Sequence, residues 1–238
     1  MTAAAELPLE GPARDEPGEH GPFGRHSTGI LPSHILKRLF RARREVLATE
    51  EITDAQIQPA SVDLRLGPVA YRIRASFLPG KNARIADKLG DMAIHEIDLR
   101  QGAVLETGCV YLVPLLERLE LSFRVSGVAN PKSSTGRLDV FTRLITDHAT
   151  AFDRVPEGYH GPLYAEISPR TFPILARKGS RLNQLRLRHG SPQFTDTQLK
   201  RLHEDVGLVD GPADIEGGLA LTVRSEEHTS ELQSRFGI

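Results

Sequence analysis

The chain has a single cysteine, Cys109, in 238 residues. One thiol cannot build an internal disulfide framework, and it cannot supply a zinc site that needs several cysteines. Cys109 reads as a small core residue in a strand over 109–114. No apolar run is long enough to cross a bilayer as a helix. No charged-then-apolar leader opens the chain. These two absences predict a cytoplasmic protein with no membrane partner. Charge of one sign is lacking too: Lys and Arg number 30, Asp and Glu 31, for a formal net charge of −1. A protein that coats nucleic acid would carry a clear basic excess, so nucleic acid is not the expected partner. A small anion remains open, because it needs only a local cluster of Arg, Lys and backbone N–H groups. The Walker A spacing GxxxxGK[ST] is absent. No βαβ rhythm appears, which argues against a Rossmann-type domain.

What is present is an ordinary apolar fraction, 39 %, enough for a real core. The length allows one large domain, or one domain and a fragment of another. Residues 1–29 are rich in Ala, Glu, Pro and Gly without apolar periodicity and read as a disordered leader. Order is predicted to begin at Pro32-Ser33. Ser33 can cap a helix whose Ile35, Leu36, Leu39 and Phe40 share a face, with Arg38, Arg41, Arg43 and Arg44 on the other. From 57 to 187 short apolar runs alternate with Gly, Pro, Asn and Asp. Strands are predicted over 62–66, 69–73, 104–105, 110–113, 123–128, 163–167 and 172–176. That texture suggests a mainly β sandwich or barrel with short peripheral helices. Residues 85–94 fit either a short helix or an excursion between strands. Thr195 and Gln198 have capping-box spacing for a helix over 196–204. Residues 207–218 read as a linker, and 219–223 as a starting strand. The stretch RSEEHTSELQS at 224–234 resembles the translation of a sequencing-library adapter. Residues 224–238 are therefore set aside as a non-native tail.

Three segments concentrate chemistry. In 58–67, Val62, Leu64 and Leu66 alternate with Asp63 and Arg65, placing the two charges on one side of a half-buried strand. A surface ion-pair edge would look the same. In 130–137 a lysine, two serines, a glycine and an arginine crowd into one turn. Such a turn suits an anion, through N–H groups, hydroxyls and cations, or is an ordinary polar turn. In 152–168 a glycine-bounded turn feeds a strand carrying Glu166 among apolar neighbours. A carboxyl group forced into apolar surroundings can shuttle protons near neutral pH. The alternatives are a glutamate facing solvent or one paired with an arginine.

Together these segments resemble the dCTP deaminase and dUTPase superfamily. Ser61-Val62-Asp63-Leu64-Arg65-Leu66-Gly67 matches a "SVD-x-x-LG" strand. Ser133, Ser134 and Arg137 match "RSS-x-x-R", with Lys132 for the first arginine. Gly158, Tyr159, Gly161 and Glu166 match "GW-x-G-x-x-x-x-E", with Tyr159 for tryptophan. Gly179 to Leu185 is similar to "G-x-x-I-x-QL". The resemblance covers about 30–187 and is strongest to a longer bacterial deaminase built from two related halves, of which this chain would hold the first. It implies a dUTPase-like distorted β-barrel of the β-clip type over 30–190. Residues 191–223 would then hold a helix, a linker and the start of the second half.

The resemblance also implies zinc-free deamination of dCTP to dUTP. Glu166 would be the proton shuttle, Arg137 would orient it, and Ser133 would hold the water. Lys132, Ser133, Ser134, Arg137, Arg154, Tyr159 and Gln184 would bind substrate, with Asp63 in a supporting place. Magnesium would travel on the triphosphate. Zinc deamination would need H-x-E and P-C-x-x-C, which one cysteine cannot provide. The rivals are dUTP pyrophosphatase or a bifunctional, dUMP-forming enzyme, for which Asp153 lies close to the needed region, and a non-catalytic nucleotide-binding domain. The superfamily habit predicts a homo-oligomer, a trimer or pseudo-trimer with shared sites.

Overall fold

The computed structural model describes residues 28–41, 45–191, 193–223 and 232–236. Residues 1–27 of the leader, Arg43, Arg44 and most of the tail lie outside the described residues, while Gly29 of the expected leader is in a strand. Order begins slightly before Pro32: strand β1 (Gly29–Ile30) already pairs with a distant strand near 189. Helix α1 spans Ser33–Arg41. Its first hydrogen bond runs from the Leu36 N–H to the Pro32 carbonyl. Ser33 therefore sits inside the first turn instead of capping it, and its N–H goes to the Pro59 carbonyl at 2.8 Å. Leu36, Leu39 and Phe40 are buried, as the helical spacing requires.

The strands follow in order: β2 (Glu45–Ala48), β3 (Ile57–Gln58), β4 (Ser61–Leu64) and β5 (Val69–Ile73). Residues 85–92 take the helical option as α2 (Ile85–Met92), which runs straight into an unexpected strand, β6 (Ala93–Asp98). Then come β7 (Ala103–Leu105), β8 (Val110–Glu120), β9 (Val125–Pro131), the five-residue helix α3 (Ser133–Arg137) and β10 (Val140–Thr146). Next are β11 (Arg154–Val155), β12 (His160–Pro169), β13 (Ile174–Ala176) and β14 (Asn183–His189). Helix α4 (Asp196–Val206) carries the expected box: the Gln198 N–H reaches Thr195 Oγ1, and the Thr195 N–H reaches Gln198 Oε1. Last come β15 (Leu219–Val223) and β16 (Leu232–Phe236), which pair with each other.

All pairings are antiparallel. One six-stranded sheet runs β11-β9-β14-β4-β3 with β1 beside β14; the other runs β10-β12-β8-β5-β6 with β2 beside β8. Val62, Leu64, Leu185 and Leu187 of the first sheet pack with Leu119, Leu144 and Leu163 of the second, forming the interior between them. The far face of the second sheet is covered as well. Leu112, Ile145 and Tyr164 meet Ile85, Leu89 and Met92 of α2, with Phe77, Leu78 and Phe152 from loops. Strand β12 is consequently buried on both sides, Leu163 through Pro169. A strand covered on both faces need not alternate apolar and polar residues, and here one side carries a glutamate.

Candidate active site

The first, second and late motifs meet at one end of the first sheet. Strand β14 sets Gln184 opposite Asp63 on β4 and opposite Asn130 on β9. Ser61 Oγ donates to Gln184 Oε1 at 3.3 Å. The Lys132 N–H goes to the Leu182 carbonyl at 2.8 Å, which brings the lysine against the sheet. Its ammonium forms an ion pair with Asp63, and Arg181 Nη1 lies 3.9 Å from the same carboxylate oxygen. Asp63 is only 1 % exposed, and its Oδ1 has no hydrogen-bond partner. Asp63 is thus no surface ion-pair edge: it is engaged by Lys132, while Arg65 pairs separately with Glu117. The strand itself ends at Leu64. Ser133, Ser134 and Arg137 are exposed on α3, and no hydrogen bond or ion pair ties their side chains to other described residues.

Glu166 lies in the middle of β12, opposite Arg143 on β10 and Leu112 on β8. It is 2 % exposed. Arg143 donates to its Oε1 from Nε at 3.1 Å and from Nη2 at 2.5 Å. Oε2 is buried and has no partner. The guanidinium carbon lies 3.5 Å from the centroid of the Phe152 ring and 4.9 Å from that of Phe141, two cation–π contacts. Nη2 also reaches Ser76 Oγ at 2.7 Å. Two residues before Glu166, on the same side of the strand, burial first and the Asp147 charge second push the Tyr164 hydroxyl up to about 12. Tyr164 therefore stays protonated near neutral pH and offers no base. Arg143, not Arg137, is the arginine at Glu166 within this chain. Pro169, three residues along β12, pairs with Val140 just after α3, so the two motifs are separated by roughly 10 Å of strand.

The remaining expected residues lie elsewhere. Tyr159 is buried, and its hydroxyl donates to the Pro162 carbonyl at 2.7 Å while accepting the Asp147 N–H at 3.1 Å. Burial raises its pKa far above the ordinary phenol range. The flanking glycines are demanded by this turn. Gly158 has a positive φ of 65°, and a Cβ on Gly161 would fall 2.5 Å from the Tyr159 hydroxyl oxygen. Arg154 is exposed on β11, opposite Val128. It lines an open cavity of about 710 Å³ with Arg124, Arg188, His148 and Glu157, toward the His189 end of β14 and away from Lys132. Asp153 has a positive φ of 60°, and its carboxylate accepts the Leu144 N–H at 2.7 Å. Burial raises its pKa, Glu166 adds to the rise, and the Leu144 N–H and Arg143 oppose it. Cys109 is half-buried in the turn before β8. Among the described residues no cluster of three or more His, Cys, Asp or Glu side chains could hold a metal ion.

A family description, the 2'-deoxycytidine 5'-triphosphate deaminase (DCD) N-terminal domain, matches residues 27–191. The chain belongs to the dCTP deaminase family. Its similarity to named members is moderate and extends over most of their length. It is 34 % identical over 159 residues to the dCTP deaminase of Halorubrum lacusprofundi, covering 66 % of this chain and 74 % of that protein. It is 32 % identical over 158 residues to the dCTP deaminase, dUMP-forming, of Coprothermobacter proteolyticus, covering 66 % of this chain and 80 % of that protein. The fold is similar to the crystal structure of 2'-deoxycytidine 5'-triphosphate deaminase from Agrobacterium tumefaciens, with a TM-score of 0.71 and 52 % identity. That match covers 82 % of this chain but 58 % of the other, so the chain spans just over half the length of that family member. The fold is the mainly β, dUTPase-like fold of the family, in which the described ladders form two stacked sheets.

Proposed function

We propose that this chain deaminates dCTP hydrolytically, yielding dUTP and ammonia, with Glu166 as the proton shuttle and no zinc. The observation that carries this reading is the Glu166 carboxylate: buried at 2 %, gripped on one oxygen and unpartnered on the other. A carboxylate taken from water normally has both oxygens hydrogen-bonded, and an orphan oxygen calls for an explanation. In the proposed reaction water attacks C4 of cytosine while its proton passes to Glu166. Glu166 passes that proton to N3; the C4–N4 bond then breaks as C4=O forms, and the hydroxyl's remaining proton leaves with the amine as ammonia. Ser133 would hold the water, and Arg137 would stabilise charge at the tetrahedral centre.

Lys132, Ser133, Ser134 and Gln184 would meet the triphosphate, with magnesium carried on the nucleotide's own oxygens. Asp63 supports this end of the site by holding Lys132. Within one chain Arg143 and not Arg137 is paired with Glu166, and the side chains of Ser133, Ser134 and Arg137 are exposed with no hydrogen bond or ion pair to the described residues. That suits a site completed by α3 of a neighbouring copy, hence a homo-oligomer such as a trimer or pseudo-trimer. Arg154 borders a separate cavity, and Tyr159 is engaged in the turn before β12. No described helix is long and apolar enough to cross a membrane, and a cytoplasmic place is part of the proposal.

The second reading is a bifunctional enzyme that continues to dUMP. It is favoured by relatives named as dUMP-forming, in Coprothermobacter proteolyticus and Corynebacterium glutamicum. Against it, Oδ1 of Asp153 is taken by the Leu144 N–H, and the family pattern around an Asp-activated water is not reproduced in 152–161. Incubation with dCTP and Mg2+, with dUTP, dUMP, pyrophosphate and ammonia resolved, separates the readings. Ammonia with dUTP supports deamination alone; ammonia with dUMP and pyrophosphate supports the bifunctional enzyme. Binding without product leaves a nucleotide-binding domain.

A further inference from the structure

We propose that Arg143 is the positioning residue of Glu166: it holds Oε1 and so leaves Oε2 as the oxygen that exchanges protons with the reacting water and amine. This rests on the deaminase reading of Glu166. The two residues are direct cross-strand partners on β10 and β12, so the pairing is set by the ladder and not by the reach of a flexible side chain. Both donated N–H groups go to the same oxygen, at 3.1 and 2.5 Å. That one-oxygen grip fixes the rotation of the carboxylate. The usual fork would put one N–H on each oxygen and leave neither available.

Arg143 is itself held on three sides. Phe152 covers one face of the guanidinium, Phe141 approaches it, and Ser76 accepts from Nη2. Phe152 is in turn fixed by its neighbour Asp153, whose carboxylate accepts the Leu144 N–H and whose own N–H donates to the Leu144 carbonyl at 2.9 Å. The loop between β10 and β11 therefore closes over the arginine, and the arginine aims the acid. In the proton step, Oε2 takes a proton from water as the water oxygen bonds to C4. It delivers that proton to N3, takes the remaining proton of the new C4 hydroxyl as C4=O forms, and passes it to N4 as the C4–N4 bond breaks, so ammonia leaves, uracil keeps the N3 proton and the carboxylate is regenerated. Arg143 stays protonated throughout.

The test uses the full chain as wild type, R143A, R143K and F152L, with dCTP as substrate and ammonia as readout. R143A is expected to lose kcat on the order of 100-fold with KM within about threefold, the pattern of lost alignment rather than lost binding. Added guanidinium ion should restore part of the R143A rate, and the same ion should do nothing for E166Q. R143K keeps the charge but loses the planar two-donor grip, and should stay at least tenfold below wild type. F152L should lose a few-fold in kcat while melting within a few degrees of wild type. If R143A does not fold, R143K and F152L carry the same test. Wild-type kcat in R143A or R143K would overturn the proposal. Crystal structures supply a readout that does not depend on turnover: the Glu166 carboxylate should rotate or lose its single position in R143K. An unmoved carboxylate there would also overturn the proposal. If the wild type releases no ammonia from dCTP, the deaminase reading fails, and the carboxylate position alone decides whether Arg143 positions Glu166.

Discussion

Two glutamates of the second sheet are buried almost equally and both pair with an arginine, yet they are built differently. Glu117 on β8 is 1 % exposed, and every direction around its carboxylate is answered. Arg65 Nε reaches Oε1 at 2.8 Å, the Arg65 N–H reaches Oε2 at 2.8 Å, and Gln56 Nε2 adds a third donor at 3.1 Å. The rest of the Arg65 fork goes to the carbonyls of Glu50 and Glu51. That network ties the segment before β3 to the second sheet. Glu166 on β12 has two donors on one oxygen and none on the other. A fully answered buried carboxylate is a structural joint, whereas a half-answered one retains a destabilising feature that its surroundings could have removed. The contrast separates a carboxylate that ties the fold together from two in the motif segments, Glu166 and Asp63, that each keep a buried oxygen unanswered.

The contrast can be broken most sharply at Glu166. Glu166→Gln keeps the shape and removes the proton acceptor, so kcat for ammonia release should fall by about 10²- to 10⁴-fold with dCTP affinity nearly unchanged. Next comes Glu117→Ala, which should cost about 3–5 kcal/mol of stability, because it leaves the Arg65 charge buried without its partner. Denaturant titration reads that loss, and kcat per folded molecule should stay near wild type. If instead Glu117→Ala abolished kcat in folded protein, the division between joint and reactive group would be wrong. The smallest expected effect is at Asp153. Its folded-state pKa is raised by burial, so the native state holds the proton more tightly than the unfolded chain. The stability it contributes is present below the unfolded carboxyl range and is lost as pH rises through the raised pKa. Asp153→Asn should therefore melt slightly above wild type at neutral pH, and the gap should close on acidification; thermal melts across that range check it.

Much of the frame was legible in the sequence because it depends on local pattern. Strand β5 lies where its apolar run places it, and the Thr195–Gln198 box starts α4 as its spacing requires. Strand β8 runs on to Glu120, well past the expected 113, and carries the charged Glu117 and Arg118 within it. Only the pairing of Glu117 with Arg65, 52 residues away, makes a buried charge tolerable there. The site was legible in pieces. Glu166 could be singled out from its apolar neighbours, and Lys132 and Gln184 from their motifs, but no local pattern says that Asp63 takes the lysine. Arg143 escaped notice for the same reason. In Val140–Thr146 it is one polar residue on a strand, and its meaning comes from the register that sets it against Glu166. Arg181 was likewise hidden beside a motif glycine until β14 was laid next to β4.

The most direct test is a single-turnover reaction of wild type and Glu166→Gln, each in excess over dCTP with Mg2+, following ammonia and the nucleotide product together. The account predicts one equivalent of ammonia and a uracil nucleotide from the wild type. The variant should bind the nucleotide but release ammonia on the order of 100-fold more slowly, or not at all. Ammonia released by the variant at the wild-type rate would contradict it.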